Sequence, residues 1–364
     1  MSPLIADGGT LRYILTVCYK KLFLISIICF AFFSCSYTPD CNLPSAGELS
    51  NPSDLIEYNN NILIVNTDAS ARFCNGYVSE MNMDTGEMVR MYNIGNRDTS
   101  FLARGALWRH NDKDILLLTE RGNDSLIGFN LKDDKIEWRI NLGDDPLEIR
   151  LDETRGIVLV TNLRGESVSV VDLLAQDTPV ETVRIFLPGG INGYRPNSID
   201  LSEDMNRAYV TGRLFPVVYL IDMNTLSLES QYVNLATTVS GLDNRDIKVY
   251  DGKIYVVMRA PPAVAVINEW TNTIENFIPV KSNPDSLSIL PGMNLLFVSE
   301  YRDNTVLKID LISGNIINEV SVGDGPAKIL ITSDGRYLFT ANYRGNTVSR
   351  IDLNTWEVKE FPEQ

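Results

Sequence analysis

Six arginines stand at one recurring place in this 364-residue chain. Arg121, Arg164, Arg213, Arg259, Arg302 and Arg344 each follow a short branched-apolar run by a residue or two. Arg72 lies in a related but longer segment. The turns that lead into the next apolar run carry Asp144, Asp145, Asp285 and Asp324, together with Arg195 and Arg245. A guanidinium is planar, always charged and forked, so it grips carboxylates and phosphates with two parallel hydrogen bonds. Two readings follow. Each arginine staples its unit to a neighbour through carboxylates and carbonyls, or together they form a collar that binds a carboxylate, a phosphate or an acidic peptide. A second set sits in the apolar runs themselves, at Asp54, Ala106, Glu148, Ser198, Asp246, Ser286 and Lys328. Three carboxylates near one axis suit a hard cation with oxygen ligands. Lys328 in the same set offers neutralisation without metal, and no spacing here matches a metal-binding motif.

What positions these residues is a repeat. Gly323–Val358 holds the apolar runs Lys328–Thr332, Arg336–Ala341 and Asn346–Leu353, separated by Gly, Pro, Asp and Asn, with Glu357–Phe361 as a fourth. Short runs rich in branched residues between turn formers read as strands of an antiparallel meander. One such sheet cannot bury both faces alone. Equivalent marker positions recur at Asn82, Asn130, Asp172, Asp222, Asn268, Asp310 and Asp352, at intervals of 48, 42, 50, 46, 42 and 42 residues. A second register agrees, since a strand ending lies ten residues before six of these markers. In the first unit the gap is sixteen, with extra residues around Asp68–Cys74. Pro52, Pro146, Pro196, Pro284 and Pro326 open five units, where a strand's first residue needs no ladder donor; Arg104 and Asn244 replace proline in the other two.

Val158-Leu159-Val160-Thr161-Asn162 with Ser167–Asp172, and Phe339–Asp352, resemble the YVTN-type β-propeller repeat over residues 50 to 361. The resemblance implies an all-β fold: a single seven-bladed β-propeller of four-stranded antiparallel blades. Such folds occur in bacterial and archaeal surface and periplasmic proteins and host unrelated activities. Each unit starts on an inner strand and ends on an outer one, so repeat and blade coincide. The ring is expected to close without strand exchange, with blades one and seven face to face. The carboxylate set is similar in kind to the Ca²⁺ cluster of lactonase-type propellers.

Other residue types narrow the chemistry. His110 is the only histidine, in a polar turn at the end opposite the arginines. That excludes a histidine-rich copper site and any chemistry needing two imidazoles. No Gly-rich phosphate loop and no Gly-x-Ser-x-Gly elbow occurs. Asp251-Gly252 and Asp334-Gly335 read as hairpin turns. Tyr209, Tyr255, Phe297, Phe339 and Trp356 fall on strand registers and are expected in the core. Tyr194, Phe215, Trp270, Tyr301 and Tyr343 fall in or beside turns. Tyr301 and Tyr343 each precede an arginine, placed to stack on it or to offer a sticky surface to a partner.

Residues 1–34 read as a secretory signal: Lys20-Lys21, the apolar run Leu22–Phe33, then Ser34 before Cys35. Twelve residues are few for a bilayer span. Met1–Thr16 fits no signal region and suggests an upstream extension from a misassigned start. Phe32-Phe33-Ser34-Cys35 resembles a bacterial lipobox, which implies lipidation of Cys35 and stable anchoring by several acyl chains. A plain signal peptide is the other reading. Residues 35–50 form a tether, and 51–364 the propeller. Cys41 and Cys74 would then remain as a candidate disulfide in an oxidising compartment, or as two thiols.

The chain carries a net charge of −15. Without residues 1–34, which hold Arg12, Lys20, Lys21 and Asp7, it carries −17. Such an excess argues against nucleic acid or anionic lipid as the main partner. The expectation is a monomeric, exported, lipid-anchored lipoprotein of the cell envelope, at the outer membrane or periplasmic face. It would act as a non-catalytic binding or scaffold module for an envelope protein or small acidic ligand and need no cofactor. The alternative is a lactonase-like hydrolase with Ca²⁺ in the channel.

Overall fold

The computed structural model of the protein describes residues 44–362 apart from 46, 70–72, 74–75, 95–100, 176–177, 190–192 and 237–241. The signal segment, Cys35, Cys41, Arg72 and Cys74 lie outside the described residues.

Seven four-stranded antiparallel sheets make up the described fold, each in simple sequential order. The blades are 52–93, 102–141, 146–186, 196–234, 242–279, 284–321 and 326–361. The seven inner strands touch in a closed cycle, with Pro52–Tyr58 of blade one against Pro326–Ile331 of blade seven. Among the described residues no strand is exchanged between blades, as the coincidence of repeat and blade requires.

The core is divided as the repeat divides the chain. Each of the seven junctions has its own cluster of buried apolar side chains. Tyr209, Tyr255, Phe297 and Phe339 are buried in these clusters, as their strand registers demand. Tyr194 joins them from the turn that leads into its inner strand, the place its sequence context predicts. Its ring is fully buried, and its hydroxyl bonds the carbonyls of Val210 at 2.6 Å and Val217 at 2.8 Å.

The seam between blades one and seven packs Leu55, Ile62 and Ile64 against Tyr337, Phe339 and Phe361. Polar links cross it as well. Arg336 meets Asp84 at 3.2 Å, and Arg350 donates to the Met83 carbonyl at 2.8 Å. Gly86, in the left-handed region at φ +76°, leaves room for the Phe361 ring; a Cβ there would lie 1.9 Å from it. Asp251 and Gly252 both have positive φ, 50° and 67°, which is the primed hairpin turn the dipeptide encodes.

One irregularity recurs in every blade. The inner strand slips register beside its first residues, as between Pro52 and Asp54, Leu102 and Gly105, or Pro326 and Lys328. A bulge bends a strand and re-aims its side chains. Here it presents polar groups at one mouth of the channel.

Candidate anion site at the channel mouth

The channel wall is built from the inner strands. Asp54, Glu148, Asp246 and Lys328 are all buried. The Lys328 ammonium, from blade seven, lies 3.2 Å from Glu148 of blade three and 3.6 Å from Asp246 of blade five. Three non-adjacent blades therefore meet across the ring. Ser198 and Ser286 donate to Asp246 at 2.9 and 2.8 Å.

Blade two departs from the expected register. Arg104, not Ala106, occupies the position equivalent to Glu148 and Ser286. Its backbone N–H donates to the Thr119 hydroxyl at 3.0 Å, just as Glu148 donates to Thr161 and Ser286 to Ser299. The cause is local. The blade-two hairpin is longer, with its inner strand running Leu102–His110 and Asn111 and Asp112 turning at positive φ. Counting back from the second strand by the spacing of other blades therefore overshoots toward the hairpin.

Arg104 reaches Glu148 at 3.3 Å. Two residues deeper, Arg150 bridges Glu148 at 3.0 Å and Asp200 at 2.9 Å, with Lys248 half-buried beside them. Four carboxylates (Asp54, Glu148, Asp200, Asp246) thus face four cations (Arg104, Arg150, Lys248, Lys328). Burial alone would raise Glu148 and Asp246, but Lys328 and Arg150 hold Glu148, and Lys328 and Lys248 hold Asp246, below the usual carboxylate range. Burial would likewise lower Lys328, but Asp246 and Glu148 hold it above the ordinary lysine value.

Ca²⁺ takes about six to eight oxygens at about 2.3–2.6 Å. Here the oxygens converge on an ammonium that stays charged, so this donor set does not fit a resident Ca²⁺. Among the described residues no group of three or more metal-ligating side chains is placed for an ion.

Above this plug a cavity of about 350 Å³ opens. Arg104, Arg121, Arg213, Arg245 and Arg259 line it, with Asp285, Tyr301 and Tyr343. It narrows to a continuation of about 10 Å³ at Glu148, Asp246 and Lys328, room for about one water. Arg121 forks onto Asp145 at 2.5 and 2.9 Å. Arg245 and Arg259 share one oxygen of Asp285, at 2.6 and 2.7 Å. Both also lie near Asp243, at 3.4 and 3.6 Å.

Arg213 differs. Its Nε donates to Asn197 at 2.6 Å, and among the described residues no carboxylate lies within ion-pair distance. Burial, then the neighbouring Arg245, pulls its pKa down to about 9.

The arginine set read from the repeat is therefore divided. Arg121, Arg213 and Arg259 face the cavity. Arg164 and Arg344 lie outside its lining, paired to Asp144 and Asp145 at 3.4 and 3.3 Å and to Asp324 at 2.6 Å. Arg302 is exposed, with no ion pair among the described residues. Tyr301 stacks with arginines of the blades on either side, Arg344 at 4.8 Å and Arg259 at 5.6 Å, rather than with its sequence neighbour Arg302. Arg104 and Arg245 join the site from near the starts of their inner strands, Leu102–His110 and Leu242–Tyr250. The signal for Arg245 was charge where Ser53, Ala103, Leu147 and Ala327 stand in other blades, whereas the longer hairpin hid the register of Arg104.

His110 ends the blade-two inner strand far from this mouth, stacked on Trp108 at 4.9 Å. A larger cavity of about 720 Å³ lies between the outer parts of blades four and five, where Arg207 and Glu229 pair at 2.7 Å. A similar groove of about 590 Å³ lies between blades six and seven. Such grooves come with stacked blades, whereas the mouth gathers charge from around the ring.

No family model and no curated protein matches the chain. Solved structures do. A chain of Kuenenia stuttgartiensis hydrazine synthase superposes with TM-score 0.70 at 16% identity, covering 85% of this chain and 97% of that one. Virginiamycin B lyase from Staphylococcus aureus, as selenomethionine protein, gives 0.66 at 17%, covering 83% and 94%. A catalytically inactive histidine-to-alanine variant of that lyase with quinupristin gives 0.66 at 17%, covering 83% and 95%. At these identities the likeness shows the propeller fold alone.

Proposed function

We propose that this β-propeller is a non-catalytic binding module that captures a small anionic ligand at its arginine-lined mouth. The observation that carries the reading is Arg213, a largely buried guanidinium that borders the cavity and has no carboxylate partner among the described residues. A desolvated charge is costly unless paired, so an arriving anion gains more there than at an exposed arginine. The other four guanidiniums keep the field positive while their own carboxylates hold them in place.

The chemistry at hand also favours binding over hydrolysis. Glu148 is engaged by Lys328, Arg104 and Arg150, and Asp246 by Lys328, while Asp54 accepts from the Gly105 N–H and lies outside the cavity lining. The lyase neighbour loses activity when one histidine becomes alanine. The single histidine of this chain, His110, stands six residues along the strand from Arg104, about 20 Å away. Titration calorimetry with phosphate and small carboxylates tests the reading. Binding in the micromolar to low millimolar range, lost in Arg213→Gln and kept in Arg302→Ala, is the expected result. Binding untouched by Arg213→Gln would sink it.

Export and anchoring through Cys35 complete the proposal, supported by the Lys20-Lys21, Leu22–Phe33 and Ser34-Cys35 pattern. Incorporation of a labelled fatty acid that disappears in Cys35→Ser checks it. Protein found unlabelled and in the cytosol would overturn it.

A further inference from the structure

The mouth cavity also indicates what kind of anion it takes; the inference rests on the anion-binding reading above. Five guanidiniums line the cavity. Four carboxylates lie within 4 Å of them: Glu148 on Arg104, Asp145 on Arg121, and Asp285 and Asp243 shared by Arg245 and Arg259. One positive charge is left over, and it belongs to Arg213. The arrangement calls for one negative charge on the ligand. A dianion would leave its second charge facing carboxylates that are already satisfied.

Among small and aliphatic residues such as Ala103, Leu147 and Ala327, the lining also holds two tyrosines. Tyr301 already carries two guanidinium groups. Tyr343 does not: among the described residues its ring stacks with no aromatic or cationic group, and its hydroxyl has no hydrogen-bond partner. Its ring is half-buried at the cavity wall, near Arg121 and Arg104. A π-face and an unused hydroxyl beside a site for one carboxylate suit a flat ring. At about 350 Å³ the space lies at the lower end of small-molecule pockets.

We infer that the ligand is a small monocarboxylate carrying an aromatic or otherwise flat unsaturated ring, with its carboxylate on Arg213 and its ring against Tyr343. The test uses the purified chain and three probes, benzoate, succinate and inorganic phosphate, in titration calorimetry. Benzoate is expected to bind at least tenfold more tightly than the other two. Tyr343→Ala should cost benzoate tenfold or more and leave phosphate within twofold, while Tyr343→Phe, which keeps the ring, stays within threefold of the parent. Arg213→Gln should remove binding of all three, with an unchanged circular-dichroism melt showing that it folds. If succinate or phosphate matches benzoate, or Tyr343→Ala leaves benzoate unaffected, the ring preference is wrong and only the anion site remains. If none of the three binds, both readings fall.

Discussion

Single residues here are set by what they face across the ring. Lys328 is one of many lysines in composition, yet its ammonium holds blades three, five and seven together. Removing one member of a buried ion pair leaves the others uncompensated, at a cost of about 3–5 kcal/mol. Lys328→Met is expected to lower stability by that order in urea unfolding. Melting of the parent chain should not respond to Ca²⁺ or a chelator; a calcium-dependent rise in Tm would restore the channel-cation alternative.

Glu300 is a second such residue. It stands where other blades carry Asn66, Asn162 or Asn342, and it is fully buried. Burial raises its pKa from 4.5 to about 7, against the backbone N–H groups of Lys281 and Ser282, which donate to it at 3.0 Å each. Asp303 adds to the rise and Lys281 opposes it. The folded chain therefore holds a proton that the unfolded chain has released between those two values. The resulting stability is complete below pH 4.5 and lost as pH rises through 7. Melting curves should show the parent losing Tm between pH 5 and 8 relative to Glu300→Gln, with the gap widest at pH 8. Parallel curves would refute the assignment.

At the scale of elements, hairpin length and bulges decide which side chains reach the channel. The strand Leu102–His110 shows how. Its longer hairpin moves Arg104 into the position that shorter hairpins assign to Asp54 and Lys328. A repeat count reads the strand but not the length of its turn, which is why Ala106 was the expected residue there. The seam is the other element-level device. With no strand exchanged, blades one and seven are held by their apolar cluster and by Phe361 lying on Gly86. Phe339→Ala is expected to cost about 3–5 kcal/mol, as large buried aromatics do. Gly86→Ala should destabilise as well, since the added methyl meets both the Phe361 ring and a positive φ. A melting shift under 1 °C for Gly86→Ala would mean that Phe361 can leave its place freely.

The whole molecule sets an acidic body against a basic mouth. The chain is −15 overall, yet five guanidiniums share one cavity. Long-range repulsion from the body is screened within about 10 Å at 0.1 M salt, while contacts inside the cavity are screened much less. Anion affinity should therefore weaken only a few-fold between 20 and 300 mM NaCl. The double variant Arg302→Ala/Arg344→Ala should shift it less than threefold, because neither side chain lines the cavity. A loss of tenfold or more would move the site out to the rim.

The chain's own order determined the seven blades, their four strands each, the simple closure and the face on which arginine accumulates. Periodic strand and turn signals are local, and stacking copies is the only way such sheets gain a core. What tertiary structure alone decided is which charges meet. Tyr301 takes its arginines from the blades on either side, Lys328 bridges partners 82 and 180 residues away, and Arg213 is left without a carboxylate among the described residues. Those outcomes depend on distances across the axis, set by bulges and hairpin lengths in all seven blades at once, and no stretch of one blade contains them.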